Sequence, residues 1–328
     1  MNGNLIVDAG LCGAELTIEH FRDDVLNGLA RRQKSVPCKY LYDEEGARLF
    51  EEICELGEYY PTRTEVRILK RNIGEMAAWV GPKCNLIEFG SGNSMKTRFL
   101  LSHLDHPARY IPIDVARAQL LETSTRLVNE FPGLEVAPIC ADYTNHFELP
   151  AFSSSSGRPI VFFPGSTIGN FEPEEAEGFL RRVAEMCGEE GGMLLGVDLK
   201  KDSAVLNPAY NDAEGVTAAF NLNLLVRANR ELDANFDLAC FRHHAFYNEY
   251  AGRIEMHLIS RKRQNVSVCG EEFEFELGES ILTEHSYKYT PQEFEELAVQ
   301  AGFKVVRCWT DERQWFSLQF LTPLSRSL

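Results

Sequence analysis

NLIEFGSGNSMKTRFLL, residues 85–101, passes from a short apolar run through two glycines to a segment whose apolar residues fall at helical spacing. Leu86, Ile87 and Phe89 predict a buried strand. Gly90 and Gly92 permit positive φ and close approach of a ligand, and Ser94 stands at the expected helix N-cap, ahead of Phe99, Leu100 and Leu101. Strand, glycine turn and helix in that order make a nucleotide-cofactor turn. Gly-x-Gly alone is a weak signal, since the same glycines also suit a purely structural strand–helix turn.

Three nucleotide sites compete for the turn. A dinucleotide fingerprint wants Gly-x-Gly-x-x-Gly, and its third glycine falls on Met95. A P-loop wants Gly-x-x-x-x-Gly-Lys-Ser/Thr, and Gly90–Thr97 fits except at the same Met95. A Rossmann-like methyltransferase binding S-adenosylmethionine asks only for an acidic residue near the strand end, here Glu88, and small residues where the methionine moiety passes. It lacks no part.

Downstream spacing supports a cofactor. RYIPIDVARAQLLETSTRLV reads as a strand ending at Asp114 and then a helix; Asp114 lies 22 residues beyond Gly92, where a doubly wound site places the acid for the ribose hydroxyls. LEVAPICADY predicts a third strand ending at Asp142, positioned to accept from an adenine amino group with Tyr143 flanking the ring; a turn or N-cap role is the plainer alternative for Asp142. Ser153–Pro159 predicts a loop, and PIVFFPGSTIGNF a fully buried parallel strand. Gly165, Ser166, Thr167, Gly169 and Asn170 crowd its carboxyl end, where open α/β sheets bind ligands, and the Asn170 amide could hold a substrate carboxylate. A helix over Pro173–Cys187 and a strand in GGMLLGVDLK complete the alternation.

Outside that run the pattern changes. Glu15–Gln33 predicts a helix ending in Arg31 and Arg32; Leu49, Phe50, Ile53 and Leu56 form another helical stripe, with Pro61 marking a break after Tyr59 and Tyr60. Tyr40, Tyr42, Tyr59 and Tyr60 lie close in sequence, and a phenol pair can hold an ammonium by cation–π contact and hydrogen bond. PAYNDAEGVTAAFNLNLL, from Pro208, begins as a turn and becomes helical, and residues 241–268 with EEFEFELG alternate as antiparallel strands. His243 and His244 are adjacent on such a strand, face opposite ways and read as structural. GFKVVRCWTDERQWFSLQFLTPL predicts a strand pair joined by a charged turn.

The 328 residues are 44% hydrophobic and 25% charged, as expected of a soluble enzyme of one large or two ordinary domains. A net charge of −16 with no basic stripe speaks against nucleic-acid binding. Nine scattered cysteines without Cys-x-x-Cys speak against zinc and a disulfide framework, and predict reduced thiols in cytoplasm. Neither an export signal nor an apolar run of membrane-spanning length is visible.

With YDEEGARLFEEI, EYYPTRTE, IEFGSGNSMKTR, IPIDV, FPGSTIGNF, AYNDAEGVTAAFN, RIEMHL and LTEHSYKY in place, most of the chain closely resembles the histidine-specific Nα-methyltransferases of ergothioneine biosynthesis. The resemblance implies an α/β fold: a Rossmann-like class I methyltransferase domain over 64–198 plus 289–328, and a second α+β substrate-binding domain over 11–63 plus 199–288. It implies Tyr42, Gly90, Lys96, Asp114, Asp142 and Tyr143 for S-adenosylmethionine, and Tyr59, Asn170, Tyr210, Met256, Glu284 and Ser286 for L-histidine. Tyr59, on the α-amine, is the catalytic candidate, no metal is implied and no oligomer is assigned. The activity implied is trimethylation of L-histidine to its betaine, hercynine, the first step of ergothioneine biosynthesis.

Departures from the family pattern are His285, Tyr287 and Pro164. The family also holds fungal enzymes acting on a prenylated tryptophan, so another amino acid is the alternative substrate, and a catalytically silent sensor the alternative class. Glu284 and Ser286 sit two apart and share a face of any extended segment, which favours a polar heterocycle; a surface pair of Glu284 with Lys288 is the competing reading.

Overall fold

In the computed structural model, which describes residues 17–144 and 157–325, Asn85–Phe89 is a strand buried along its whole length. It lies inside an eight-stranded sheet running Phe303–Thr310, Phe316–Pro323, Gly192–Asp198, Pro159–Phe163, Asn85–Phe89, Arg109–Asp114, Glu135–Val136, with Ile139–Cys140 also on Arg109–Asp114. The interior strands are parallel and nearly all apolar, as burial on both faces requires. The last two strands turn antiparallel onto Gly192–Asp198. Their charged turn is tied by Asp311, whose Oδ1 accepts from the N–H groups of Trp315 (2.7 Å) and Phe316 (3.0 Å).

By contact the chain divides into two units; Pro61–Lys200 and Tyr289–Leu328 belong to the first, Leu16–Tyr60 and Lys201–Lys288 to the second. In the first, Ile68, Leu69, Met76 and Val80 of the Tyr60–Val80 helix share one core with Leu86, Leu100, Tyr110, Phe162, Leu194 and Phe320. Each such side chain gains roughly 2 kcal/mol on leaving water. The second unit has a four-stranded sheet in the order Lys34–Ser35, Ser280–Tyr287, Arg253–Ser260, Phe241–Asn248, and a separate hairpin of Gln264–Val268 with Glu271–Phe275. Its helices are Ile18–Leu29, Glu44–Glu55, Ser203–Ala209 and Val216–Glu231. Among the described residues no helix is long and apolar enough to cross a membrane.

Several sequence expectations need correcting. The third strand is two pieces, Glu135–Val136 and Ile139–Cys140, on one continuous register with Arg109–Asp114; Pro138, which has no N–H to give, sits in the gap, and Asp142 lies two residues past the second piece. Pro61 opens a helix instead of breaking one: it occupies the first turn of Tyr60–Val80, where no backbone donor is needed. Pro208, expected in a turn, lies inside the Ser203–Ala209 helix. The first helix stops at Leu29, short of Arg31 and Arg32, because the chain doubles back there; a Cβ on Gly28 would lie 1.9 Å from the Ser35 carbonyl oxygen. Glu15 and Leu16 of that segment, and Ser153–Ser156 of the expected loop, fall outside the described residues.

One irregularity sets the second unit's chemistry. Leu282 pairs with His257 but Glu284 pairs with Met256, so Thr283 is an extra residue, a bulge, with its hydroxyl donating to the Met256 carbonyl at 3.1 Å. Glu284 and Ser286 therefore share the face of Met256 and Ile254, and His285 goes to the other.

Candidate active site

In the first unit the glycine turn and the acid of the next strand are in direct contact. Gly90 and Gly92 have φ of 69° and 46°. The Gly92 N–H donates to Asp114 Oδ2 at 3.0 Å, and Asp114 Oδ1 accepts from the Ala116 N–H at 3.0 Å. The 22-residue spacing is thus a hydrogen bond. A Cβ on Gly90 would meet the Tyr143 hydroxyl at 3.4 Å, so the turn and Tyr143 are neighbours. Tyr143 packs among Phe89, Phe163, Phe171 and Phe179. Asp142 is buried, with Oδ1 accepting from the Thr144 N–H (2.9 Å) and hydroxyl (2.5 Å); one oxygen thereby serves the turn.

Two expectations about the turn change. Ser94 is at the N-cap position, but its φ is 54° and its hydroxyl makes no capping bond; it reaches the Ser91 carbonyl and the Tyr110 hydroxyl, each at 3.3 Å. Glu88 is a strut: Thr97 (2.5 Å) and Tyr110 donate to its two oxygens, and burial pushes its carboxyl up to about 8 against the pull of those hydrogen bonds. Met95, which spoiled two nucleotide fingerprints, is 46% exposed and takes no part in helix–strand packing.

Lys96 forms an ion pair with Glu65, a residue sequence reasoning passed over. Glu65 is 1% exposed, and its two oxygens accept from the Gly165 N–H at 2.9 and 3.0 Å. It thus joins Lys96 to the carboxyl end of Pro159–Phe163. Next come left-handed Gly165 and Ser166, then a 3-10 turn over Thr167–Asn170 that leaves Asn170 half-buried. Glu65→Ala leaves the Gly165 N–H without its acceptor; a loss of about 1–2 kcal/mol in thermal or urea unfolding is expected.

The second unit brings five candidates close together and adds Tyr42. Aromatic rings run from Phe220 to Tyr42 (5.4 Å), Tyr42 to Phe50 (5.5 Å), Phe50 to Tyr59 (6.2 Å) and Tyr59 to Tyr210 (6.1 Å). Tyr42, expected with the cofactor residues, belongs to the second unit, and Asn170, expected with the substrate residues, belongs to the first. The Tyr210 and Ser286 hydroxyls are 3.0 Å apart. Met256 stands directly opposite Glu284 across the ladder.

Glu284 is 9% exposed, and its Oε2 is buried without a hydrogen-bond partner. Burial pushes its carboxyl up to about 7, with Lys288 pulling the other way. The expected surface alternative fails, since Lys288 is 2% exposed and donates to Tyr210 and Ser286. Burial raises the Tyr59 phenol well above its ordinary value, so it stays protonated, able to accept from or donate to an amine but not to act as its base. His243 is structural: its Nδ1 meets the Asn221 amide at 3.0 Å and its Nε2 the Tyr210 carbonyl at 2.8 Å. His244 stacks on Phe246.

A parallel sheet closed by an antiparallel terminal hairpin, with a glycine turn bonded to the acid ending the next strand, is the Rossmann-like arrangement of a nucleotide-cofactor enzyme. Residues 21–323 match the family described as "Histidine-specific methyltransferase, SAM-dependent", and the chain belongs to it. The Histidine N-alpha-methyltransferase of Mycolicibacterium smegmatis is 41% identical over 316 residues, covering 94% of this chain and 97% of that protein. That of Mycobacterium tuberculosis is 42% identical over 303 residues, covering 90% and 93%. Ergothioneine biosynthesis protein 1 of Neurospora crassa is 30% identical over 295 residues, 84% of this chain and 32% of that longer protein.

Proposed function

We propose that the chain transfers methyl groups from S-adenosylmethionine to the α-amine of L-histidine, three in succession, yielding hercynine for ergothioneine biosynthesis. The observation that carries this reading is the unpartnered, buried Glu284 Oε2 two residues from the Ser286 hydroxyl on the same strand face. A buried acceptor without a donor costs about 1–3 kcal/mol, which an imidazole N–H would recover. The names of the mycobacterial relatives support the same substrate.

S-adenosylmethionine supplies an electrophilic methyl group on a sulfonium; the rest falls to protein side chains. In the first unit, Asp114 offers its carboxylate to the ribose, and Gly90 and Gly92 keep side chains out of the turn. Asp142 and Tyr143 serve the adenine, and Lys96, on the helix after the turn and paired with Glu65, serves the same cofactor. In the second unit, Tyr59 accepts from the α-amine through its neutral phenol oxygen, and the surrounding rings tolerate the cation that builds up on nitrogen. Tyr210 donates to the carboxylate, while Glu284 and Ser286 fix the imidazole. Each transfer breaks the sulfur–methyl bond and leaves S-adenosylhomocysteine; the nitrogen attacks as the free amine, its protons passing to solvent before each step, and the tertiary amine still has the lone pair that makes the third transfer give a quaternary nitrogen.

Mass spectrometry of the protein incubated with S-adenosylmethionine and the common amino acids tests the reading. Histidine gaining up to three methyl groups, with other amino acids unchanged, is the expected result. Methylation of a tryptophan derivative instead, or ligand binding without any product, overturns it.

A further inference from the structure

Lys288 is buried beside the groups just described, and no motif assigned it a role. Its Nζ donates to Tyr210 Oη at 2.9 Å and Ser286 Oγ at 2.8 Å, and lies 5.0 Å from the Tyr210 ring centroid. Its own N–H donates to the Gly252 carbonyl at 2.8 Å, fixing the base of the side chain. A lysine has donors only, so both hydroxyl oxygens must accept from it, and neither hydroxyl proton can point back toward Nζ. The Ser286 proton is thereby turned to the 3.0 Å contact with Tyr210 or to a ligand in front of it. The same ammonium is the charge that acts on Glu284, four residues back on the same side of the strand. The protonated Tyr59 phenol also lies near Glu284, whereas Glu255 and His257, on the facing strand, point to the opposite face.

The geometry points to Lys288 as a positioning residue of the amino-acid site: it turns the Tyr210 and Ser286 hydroxyls forward and sets its ammonium on the side of the strand that carries Glu284. The site then offers an O–H donor beside an anionic acceptor. A neutral imidazole, with one bare nitrogen and one N–H, is the complement of that pair; an indole, with an N–H only, leaves the donor unmatched. This deepens the reading given under Proposed function and rests on it.

Two variants separate the parts of the role. Lys288→Gln keeps an N–H donor without the charge; Lys288→Met removes both. Histidine affinity is measured by calorimetry from pH 5 to 9, with S-adenosylhomocysteine binding as the check that each variant is folded. Ionised Glu284 is the form that accepts an imidazole N–H, so affinity falls on the acid side. Without the neighbouring ammonium, the midpoint of that fall moves to higher pH by about one unit in both variants. Lys288→Met in addition binds histidine at least tenfold more weakly than Lys288→Gln does at pH 9. The midpoint shift disappears when Glu284→Gln is already present. A midpoint that stays put, or that moves equally in the Glu284→Gln background, overturns the role of Lys288. Wild-type protein that does not bind histidine overturns the functional reading itself, so the two failures are distinguishable. If Lys288→Met does not bind S-adenosylhomocysteine, the Lys288→Gln midpoint decides alone.

Discussion

Glu284→Gln is expected to make the protein more stable at pH 8 and worse at holding histidine. The carboxyl rises from an ordinary 4.5 to about 7 on burial. Below 4.5 it is protonated whether the chain is folded or not and costs nothing. Between 4.5 and 7 the unfolded chain releases the proton and the folded one does not, so stability falls as pH rises; above 7 the penalty is complete, at roughly 3 kcal/mol. Glutamine removes that charge but leaves its own amide underbonded, so a net gain of about 1–2 kcal/mol at pH 8 and little change at pH 4 is expected in thermal unfolding. Histidine affinity falls at the same time by the worth of a charged hydrogen bond, about 1.5–3 kcal/mol, or roughly ten- to 150-fold. In competition with tryptophan, the Glu284→Ala, Ser286→Ala double variant should lose its preference for histidine. A preference that survives both changes removes these residues from substrate selection, and a stability at pH 8 that does not rise contradicts the buried charge.

Asp114→Ala should cost cofactor binding a comparable amount. Its two oxygens brace the Gly92 and Ala116 N–H groups, and the proposed function adds the ribose as a third partner. Alanine removes both braces and the ribose acceptor, and affinity for S-adenosylmethionine should drop by about 1.5–3 kcal/mol. Asparagine keeps one acceptor and should fall between. Calorimetry that finds the alanine variant unchanged would place the ribose elsewhere.

The Gly92–Asp114 contact was legible in the sequence because both partners sit at the ends of neighbouring parallel strands, where chain length alone brings them together. The apolar runs of Asn85–Phe89 and Pro159–Phe163 were legible for a similar reason: burial on both faces leaves no room for alternation. Pro61 was misread, since proline is tolerated in a helix's first turn as readily as it ends a helix, and the strand read straight through LEVAPICADY passed over the gap that Pro138 makes in the ladder. The burial of Glu65 and Lys288 left no local trace, although both fall within segments that the family resemblance rests on. A buried charge is recognised by its partner, and those partners lie far off in the chain: Gly165 is 100 residues from Glu65, and Tyr210 is 78 from Lys288.

The extra residue at Thr283 changes the phase of a two-state alternation. Counted from Ile281, which faces Leu258, an uninterrupted ladder would turn Thr283, His285 and Tyr287 toward the core and put Glu284 and Ser286 on the far side. The bulge shifts the count by one and presents the carboxylate and hydroxyl instead. The chemistry of this face is therefore written in parity as much as in composition: a relative with the same letters but a straightened strand would display an imidazole and a phenol. Comparing such chains by residue identity alone would miss the exchange, and the bulge is the place to look for it.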